Sequence, residues 1–278
     1  MHLDHILEAA DWDTEQLVCN ARREGCHGPL VVAGSLVDGL GTALSDIDLI
    51  CFERRSGLYS HEMVVVDRRQ WGRLTVDLHL VNVATFQALC TQYRDRLFAA
   101  PSQPIGRIPY DALVLLHALH SGQPLTDDAE LTDLRTAVGS DLYPMLLALR
   151  ALGGFLQHRR DAQQLDRLGL ELAGLAAARN AVEAIADASL AAAGAVNPNP
   201  KWRVLLMQRA VRDGAAGWLP WSEMLEALFP DRLAPSATGL LAVAEAAAVA
   251  VAEHTPLAMY WETRAIRATT SAEEVVPA

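Results

Sequence analysis

The strongest constraint on the fold is the segregation of strand-like and helix-like patterns along the chain. Short runs rich in β-branched residues occur only in the first hundred residues, and we predict strands at 30–32, 47–52, 63–66 and 74–81. Apolar residues at helical spacing flank these runs, at 3–23 and 83–97. After Pro109 the pattern is helical, and we predict helices at 110–120, 129–138, 142–160, 162–193, 201–212, 221–228 and 238–253. Strands followed by helices are typical of α+β proteins. We therefore predict an N-terminal mixed β-sheet with flanking helices, followed by an all-α helical bundle.

The best candidate for a domain boundary is the proline-punctuated segment 101–109. We accordingly predict two domains, residues 1–108 and residues 109–278. The second half carries the larger share of the net negative charge, and an acidic helical domain would suit a cationic ligand. A solvated acidic surface is the alternative explanation.

The composition narrows the function classes. The 278 residues carry a net charge of −11, which argues against a broad basic surface for nucleic acid. The four cysteines show no CxxC spacing and indicate ordinary thiols in a reducing compartment. The N-terminus does not resemble a signal peptide, and the apolar segment 237–253 contains Glu245, so we expect a buried helix rather than a membrane span. A cytoplasmic location is the resulting expectation.

The residues that point to chemistry lie between the first two predicted strands. The first strand ends in Gly34-Ser35, ten residues follow, and Asp46-Ile47-Asp48 opens the second strand. Because residues i and i+2 of a strand share a face, Asp46 and Asp48 should lie side by side. A third carboxylate, Asp77, lies in the later strand, and three carboxylates converge if that strand pairs beside the second.

Converging carboxylates need a counter-charge, and Mg²⁺ prefers oxygen ligands of this kind. Two such ions can stabilise the attacking and leaving oxygens of a phosphoryl displacement. Gly34 leaves room for a phosphate beside the backbone, and Ser35 offers a hydroxyl and an N–H group to a triphosphate. The alternative is a hairpin turn followed by an edge strand, with no ligand.

This combination resembles the nucleotidyltransferase superfamily that includes DNA polymerase beta, and within it the small-molecule branch typified by aminoglycoside nucleotidyltransferases. The resemblance covers roughly residues 25–100 and rests on Gly34, Ser35, Asp46, Asp48 and Asp77. It implies a nucleotidyltransferase domain (1–108) and a helical substrate-binding domain (109–278).

The reaction implied is transfer of a nucleoside monophosphate from an NTP, the co-substrate, to a hydroxyl of a small molecule, with release of pyrophosphate. Asp46, Asp48 and Asp77 would be the catalytic carboxylates and would hold two Mg²⁺ ions. Asp77 could also accept or orient the hydroxyl proton. Gly34 and Ser35 would bind the β- and γ-phosphates.

Lys201 is the third candidate for nucleotide binding. It is the only lysine among 23 basic residues and follows Asn197-Pro198-Asn199-Pro200, which suits the start of a helix. Enzymes of the resembled branch often supply such a lysine from the helical domain. A surface lysine without a ligand is the alternative.

Several other interpretations stay open at this stage. The acceptor could be a protein or a tRNA end, as in toxin–antitoxin members of the superfamily, or the chain could be a non-catalytic interaction module. His117 and His120 have the i, i+3 spacing of metal ligands, but partly buried helix residues are the commoner case. Trp202 could stack on a ligand or pack in the core. Arg68 and Arg69 could contact phosphate, although paired arginines at strand ends are usually solvated.

Overall fold

The computed structural model describes residues 2–54, 62–99, 108–126, 129–230 and 236–255. Five strands form one mixed sheet in the order β3-β4-β2-β1-β5. The strands are β1 (Leu30–Ala33), β2 (Ile47–Glu53), β3 (Val64–Trp71), β4 (Leu74–Asn82) and β5 (Gln123–Pro124). Strand β4 runs parallel to β2, and the other pairs are antiparallel. The predicted α+β class is confirmed.

Ten α-helices surround or follow the sheet in the described part of the chain. They are α1 (Leu3–Ala9), α2 (Thr14–Arg23), α3 (Val83–Arg94), α4 (Tyr110–Ser121), α5 (Ala129–Val138), α6 (Leu142–Arg167), α7 (Glu171–Ala192), α8 (Arg203–Asp213), α9 (Trp221–Leu228) and α10 (Ala237–His254). Short 3₁₀ turns lie at Gly34–Leu36 and Pro200–Trp202, and a π turn lies at Asp95–Ala99.

Two of the predicted helices begin or break at places other than those expected. The helix expected over 3–23 divides in two, because Asp13 and Gln16 form a capping box that begins α2. The break expected near residue 161 lies further along, since α6 continues to Arg167 and Gly169 adopts a φ of +70° before α7. The run of polar residues around 161 does not interrupt the helix.

Strand β2 is buried on both faces over most of its length. Ile47, Leu49 and Cys51 of β2 pack in a hydrophobic cluster with residues of α1, α2 and β1. On the opposite face of β2, Ile50 and Phe52 are also buried, and Phe52 packs against Phe86 of α3. On the same face, Asp48 at the start of the strand is only half-buried.

The chain divides into two compact units. Among the described residues, one unit comprises 2–99 and 108–143 and the other the residues from 144 onward. The first unit thus includes α4, which packs against β1, and β5, which pairs with β1. Residues 101–107 of the predicted connection lie outside the described part, and the boundary after residue 108 stays a prediction. Helical periodicity alone does not reveal which neighbours a helix packs against.

Helix α10 covers the apolar segment that we expected to be a buried helix. By length and mean hydropathy it is the one described helix that could cross a membrane, which is weak evidence. Its buried residues (Leu240, Ala244, Ala247, Ala248 and Val251) form a single stripe at helical spacing, and the helix packs against α7. Glu245 accepts a hydrogen bond of 2.7 Å from Arg159 Nε. A single buried stripe and an ion pair are typical of a helix packed against protein.

Candidate functional site

Three aspartates meet at one end of strands β2 and β4. Asp48 and Asp77 are direct neighbours across the parallel ladder between these strands. Asp46 precedes β2 by one residue and stands two positions from Asp48. Their side chains are 42% (Asp46), 33% (Asp48) and 18% (Asp77) exposed, so each retains access to solvent. The pairing of the two strands, on which the predicted convergence depended, is present.

Gly34 lies against this group in a conformation that favours glycine. Its φ is +75°, and it directly follows Ala33, which pairs with Asp48. A Cβ atom at this position would stand 2.1 Å from Asp48 Oδ2. The backbone therefore approaches the carboxylate as closely as it does only because residue 34 has no side chain.

Ser35 belongs to the short segment that leads away from Gly34. Its carbonyl oxygen accepts hydrogen bonds of 2.8 Å from the N–H groups of both Leu40 and Gly41, which folds the segment back on itself. Asp38 anchors the same segment to α4, because its Oδ2 lies 3.0 Å from Nε2 of the buried His117. These bonds fix the position of Ser35 relative to the aspartates.

The contact with Asp38 also bears on the suggestion that His117 and His120 bind a metal. Both imidazole rings lie against the ring of Tyr143, at centroid distances of 5.5 and 5.6 Å. Burial and the neighbouring His117 lower the pKa of His120. The packing of both rings supports a structural role for the pair.

Arg68 is a member of the site that the sequence analysis considered only as a phosphate contact or a solvated residue. It lies on β3 directly opposite Asp77. Its Nε and Nη2 donate to Oδ1 and Oδ2 of Asp77 at 2.6 and 2.7 Å, and Nη2 also donates to Asp46 Oδ2 at 2.8 Å. The guanidinium therefore links two of the three carboxylates, instead of being merely solvated.

The sequence did contain a signal for this position. Only Gly72-Arg73 separates Trp71 from Leu74, which are paired residues, so β3 and β4 form a hairpin with a two-residue turn. Counting back from such a turn sets Arg68 opposite Asp77. The polar composition of residues 67–70 concealed the strand, although edge strands often carry charged residues.

The bond to Arg68 has an electrostatic consequence for Asp77. The charge-assisted hydrogen bond from Arg68 holds the pKa of Asp77 below its usual range, and it raises the pKa of Arg68. Asp77 is therefore an anion at neutral pH despite the nearby carboxylates.

His79 is a second neighbour that the sequence interpretation did not identify. It stands two positions after Asp77 on β4, and its Nε2 lies 3.6 Å from Asp48 Oδ1, too far for a hydrogen bond. This nitrogen is buried and has no hydrogen-bond partner among the described residues. It faces the carboxylate that also contacts Gly34.

The donor set suits a hard divalent cation, since it consists of carboxylate oxygens. Because residue 34 is a glycine, no side chain at this position covers the Asp48 carboxylate. Within the described ranges, however, no three His, Cys, Asp or Glu side chains stand ready to hold a metal ion. Arg68 engages oxygens of Asp46 and Asp77, so these residues fit a cation by their chemistry but are bound to a guanidinium as they stand.

Lys201 lies in the second compact unit, whereas the five other predicted site residues are in the first. It is in the 3₁₀ turn Pro200–Trp202, and Asn199 Oδ1 accepts a hydrogen bond of 3.1 Å from its backbone N–H. Its Nζ lies 4.9 Å from the ring centroid of the half-buried Trp202. Helix α8 begins two residues later, at Arg203, so the predicted helix start is displaced by one short turn.

Comparisons with known proteins add little to this geometry. No family model and no curated protein matches the chain. Among solved structures, the chain is similar to a nucleotidyltransferase-like protein from Exiguobacterium sibiricum 255-15, with 14% sequence identity and a TM-score of 0.44. The likeness covers 86% of this chain and 71% of that one. A TM-score below 0.5 is too low to establish a common fold, so the interpretation depends on the site itself.

Proposed function

We propose that this protein is a Mg²⁺-dependent nucleotidyltransferase that moves a nucleoside monophosphate from an NTP to a hydroxyl of a small molecule. The observation that carries the proposal is the meeting of Asp46, Asp48 and Asp77 at one end of two parallel strands, with Gly34 in contact with Asp48. Three solvent-accessible carboxylates can bind hard cations together with a phosphate.

Each predicted site residue of the first unit has a task in this reaction. Asp46, Asp48 and Asp77 hold the divalent cations, which supply positive charge for the transferred phosphoryl group and the leaving pyrophosphate when bound. The second task of Asp77 is to accept or orient the proton of the acceptor hydroxyl. Gly34, which approaches Asp48 closely, and Ser35, fixed by the folded segment, bind the β- and γ-phosphates.

The second unit is proposed to supply Lys201 and the acceptor site. Lysine presents a compact charge on a flexible stem, which suits contact with phosphate oxygens. The net acidity of the helical half favours a cationic acceptor over a nucleic acid.

The experiment is a reaction screen by mass spectrometry. Each NTP is incubated with Mg²⁺, the protein and a panel of hydroxylated cationic small molecules, and separate arms contain a protein mixture or tRNA as the acceptor. We expect a mass gain of one nucleotide on a small molecule, and none when Asp48→Asn replaces the wild type. Modification of protein or tRNA alone would refute the small-molecule acceptor, and no transfer in any arm would count against the enzyme.

One observation favours a second candidate, a non-catalytic interaction module. Arg68 already neutralises Asp46 and Asp77, as a permanent substitute for a cation would. A module of this kind would bind no NTP in a Mg²⁺-dependent manner. Calorimetric titration with each NTP, with and without Mg²⁺, separates the two candidates.

A further inference from the structure

Arg68 and Arg203 make similar contacts with carboxylates in very different surroundings. Arg203 donates to both oxygens of Asp187, at 2.6 and 2.8 Å, and to Glu183, but its side chain is only 13% exposed. Arg68 donates to both oxygens of Asp77 and to Asp46, yet its side chain is 66% exposed. The buried arginine is held on several sides, whereas the exposed one contacts solvent over most of its surface.

The position of Arg68 allows its side chain to move away from Asp46 and Asp77. Strand β3 is at the edge of the described sheet, paired on one side with β4. A guanidinium on a long aliphatic stem at such an edge can rotate into water and remain solvated. Its departure would expose the oxygens of Asp46 and Asp77 that it now engages.

The same oxygens cannot serve a divalent cation and Arg68 equally well. Arg68 takes both oxygens of Asp77 and one of Asp46, which are the atoms a bound cation would share between these residues. A guanidinium and a divalent cation held by the same pair of carboxylates also repel each other. Binding of either therefore weakens binding of the other.

We propose that Arg68 is a tethered counter-ion that must release Asp46 and Asp77 before a divalent cation binds there, and that it thereby sets the cation affinity of the site. The inference rests on the proposed function in one respect, which is that these aspartates are cation ligands.

The test measures Mn²⁺ binding to the full chain without nucleotide, by electron paramagnetic resonance of the free ion. Mn²⁺ takes the same oxygen ligands as Mg²⁺ and is directly observable. The test variant is Arg68→Gln, and the matched control is Arg69→Gln. Arg69 is on the same strand, and its side chain contacts Asp67 and Glu24 instead of the site. The control removes an equal charge and so corrects for the general attraction between the chain and a cation.

We expect Arg68→Gln to bind Mn²⁺ about tenfold more tightly than the wild type, since it frees the hydrogen-bonded oxygens of two carboxylates. Arg69→Gln should bind within about twofold of the wild type, as expected for one distant surface charge. In thermal unfolding, Mn²⁺ should raise the Tm of Arg68→Gln more than that of the wild type. A merely structural role for Arg68 would lower the Tm without this dependence on Mn²⁺.

A third variant separates failure of this inference from failure of the proposed function. If Arg68→Gln and the wild type bind Mn²⁺ equally and Asp46→Asn abolishes the binding, Arg68 does not compete and the inference is overturned while the cation site stands. If Asp46→Asn leaves Mn²⁺ binding unchanged in both backgrounds, the aspartates are not cation ligands. That second result overturns the inference and the proposed function together.

Discussion

Replacing Gly34 by alanine provides a sharp test of the site, because the structure separates two effects of one methyl group. The first effect is on the backbone, since Gly34 has a φ of +75°. An L-residue in the left-handed region costs about 1–2 kcal/mol, and we expect the free energy of unfolding to fall by that amount. The second effect is on Asp48, whose Oδ2 would stand 2.1 Å from the new Cβ.

The displacement of Asp48 follows from this distance. Real Cβ atoms essentially never approach other heavy atoms within 3.0 Å, so the carboxylate oxygen must retreat by about 0.9 Å or more. Rotation of the side chain can absorb the shift at little cost in stability, but it moves a proposed cation ligand. A displacement of about 1 Å at a reacting centre lowers the rate by about 10²-fold. We therefore expect Gly34→Ala to lose about 10²-fold in kcat/KM.

Gly39→Ala is the matched control. Gly39 lies in the same segment with a φ of +66°, but its added Cβ would approach a ring carbon of His2 at 3.3 Å instead of a site residue. Both variants should show similar losses in urea denaturation, whereas only Gly34→Ala should lose nucleotide transfer, assayed as pyrophosphate release with the acceptor from the screen. Equal activity losses, or wild-type activity in Gly34→Ala, would refute the argument that the close approach to Asp48 matters for the reaction.

Three further predictions concern single side chains. Asp48→Asn should retain the fold and lose turnover by about 10²–10³-fold or more, because a neutral amide replaces a charged ligand at the reacting phosphate. Circular dichroism tests the fold and steady-state kinetics test the turnover. Activity like that of the wild type would contradict this prediction. Lys201→Ala should raise the KM for NTP and lower kcat/KM by at least about tenfold, and Lys201→Arg should partly restore both. Unchanged steady-state kinetics would leave Lys201 as a surface residue that lies over the Trp202 ring. Burial opposes the charge of Glu53, but hydrogen bonds from two backbone N–H groups outweigh it and hold the pKa of Glu53 below its ordinary value. Glu53 should therefore stabilise the fold at neutral pH. The wild type and Glu53→Gln should differ less in unfolding free energy as the pH falls below the ordinary glutamate pKa and through the lowered pKa of Glu53. A difference in unfolding free energy that does not depend on pH would contradict this prediction.

The parts of the site that could be predicted are those fixed by local patterns. Alternation along a strand places Asp46 and Asp48 together, and the glycine at position 34 permits the positive φ that the structure shows. The pairing of Asp48 with Asp77 needed one further assumption, that two predicted strands are neighbours. That assumption was correct because both strands are apolar enough to be central.

The parts that could not be predicted depend on register and on packing partners. Arg68 belongs to a polar edge strand, whose composition resembles that of a loop, and its partner follows only from the hairpin register. His79 was overlooked for a similar reason, since an isolated histidine in a strand has no spacing signal. Likewise, the helical pattern of α4 and α5 does not reveal that α4 packs against β1 and α5 against α3, because the same apolar stripe can cover a strand or another helix.

Arg68 also explains how this arrangement of charges can exist in the folded chain before any ligand binds. Three aspartates at one end of two adjacent strands repel one another, and the repulsion would oppose the pairing of β2 with β4 that brings Asp48 beside Asp77. The β3–β4 hairpin places Arg68 opposite Asp77, so the positive charge lies beside Asp77 as soon as these two strands pair. Because Arg68 remains largely exposed, the neutralisation that helps the sheet to form is also reversible. A buried arginine such as Arg203 would stabilise the charges equally well but would not release them to a cation.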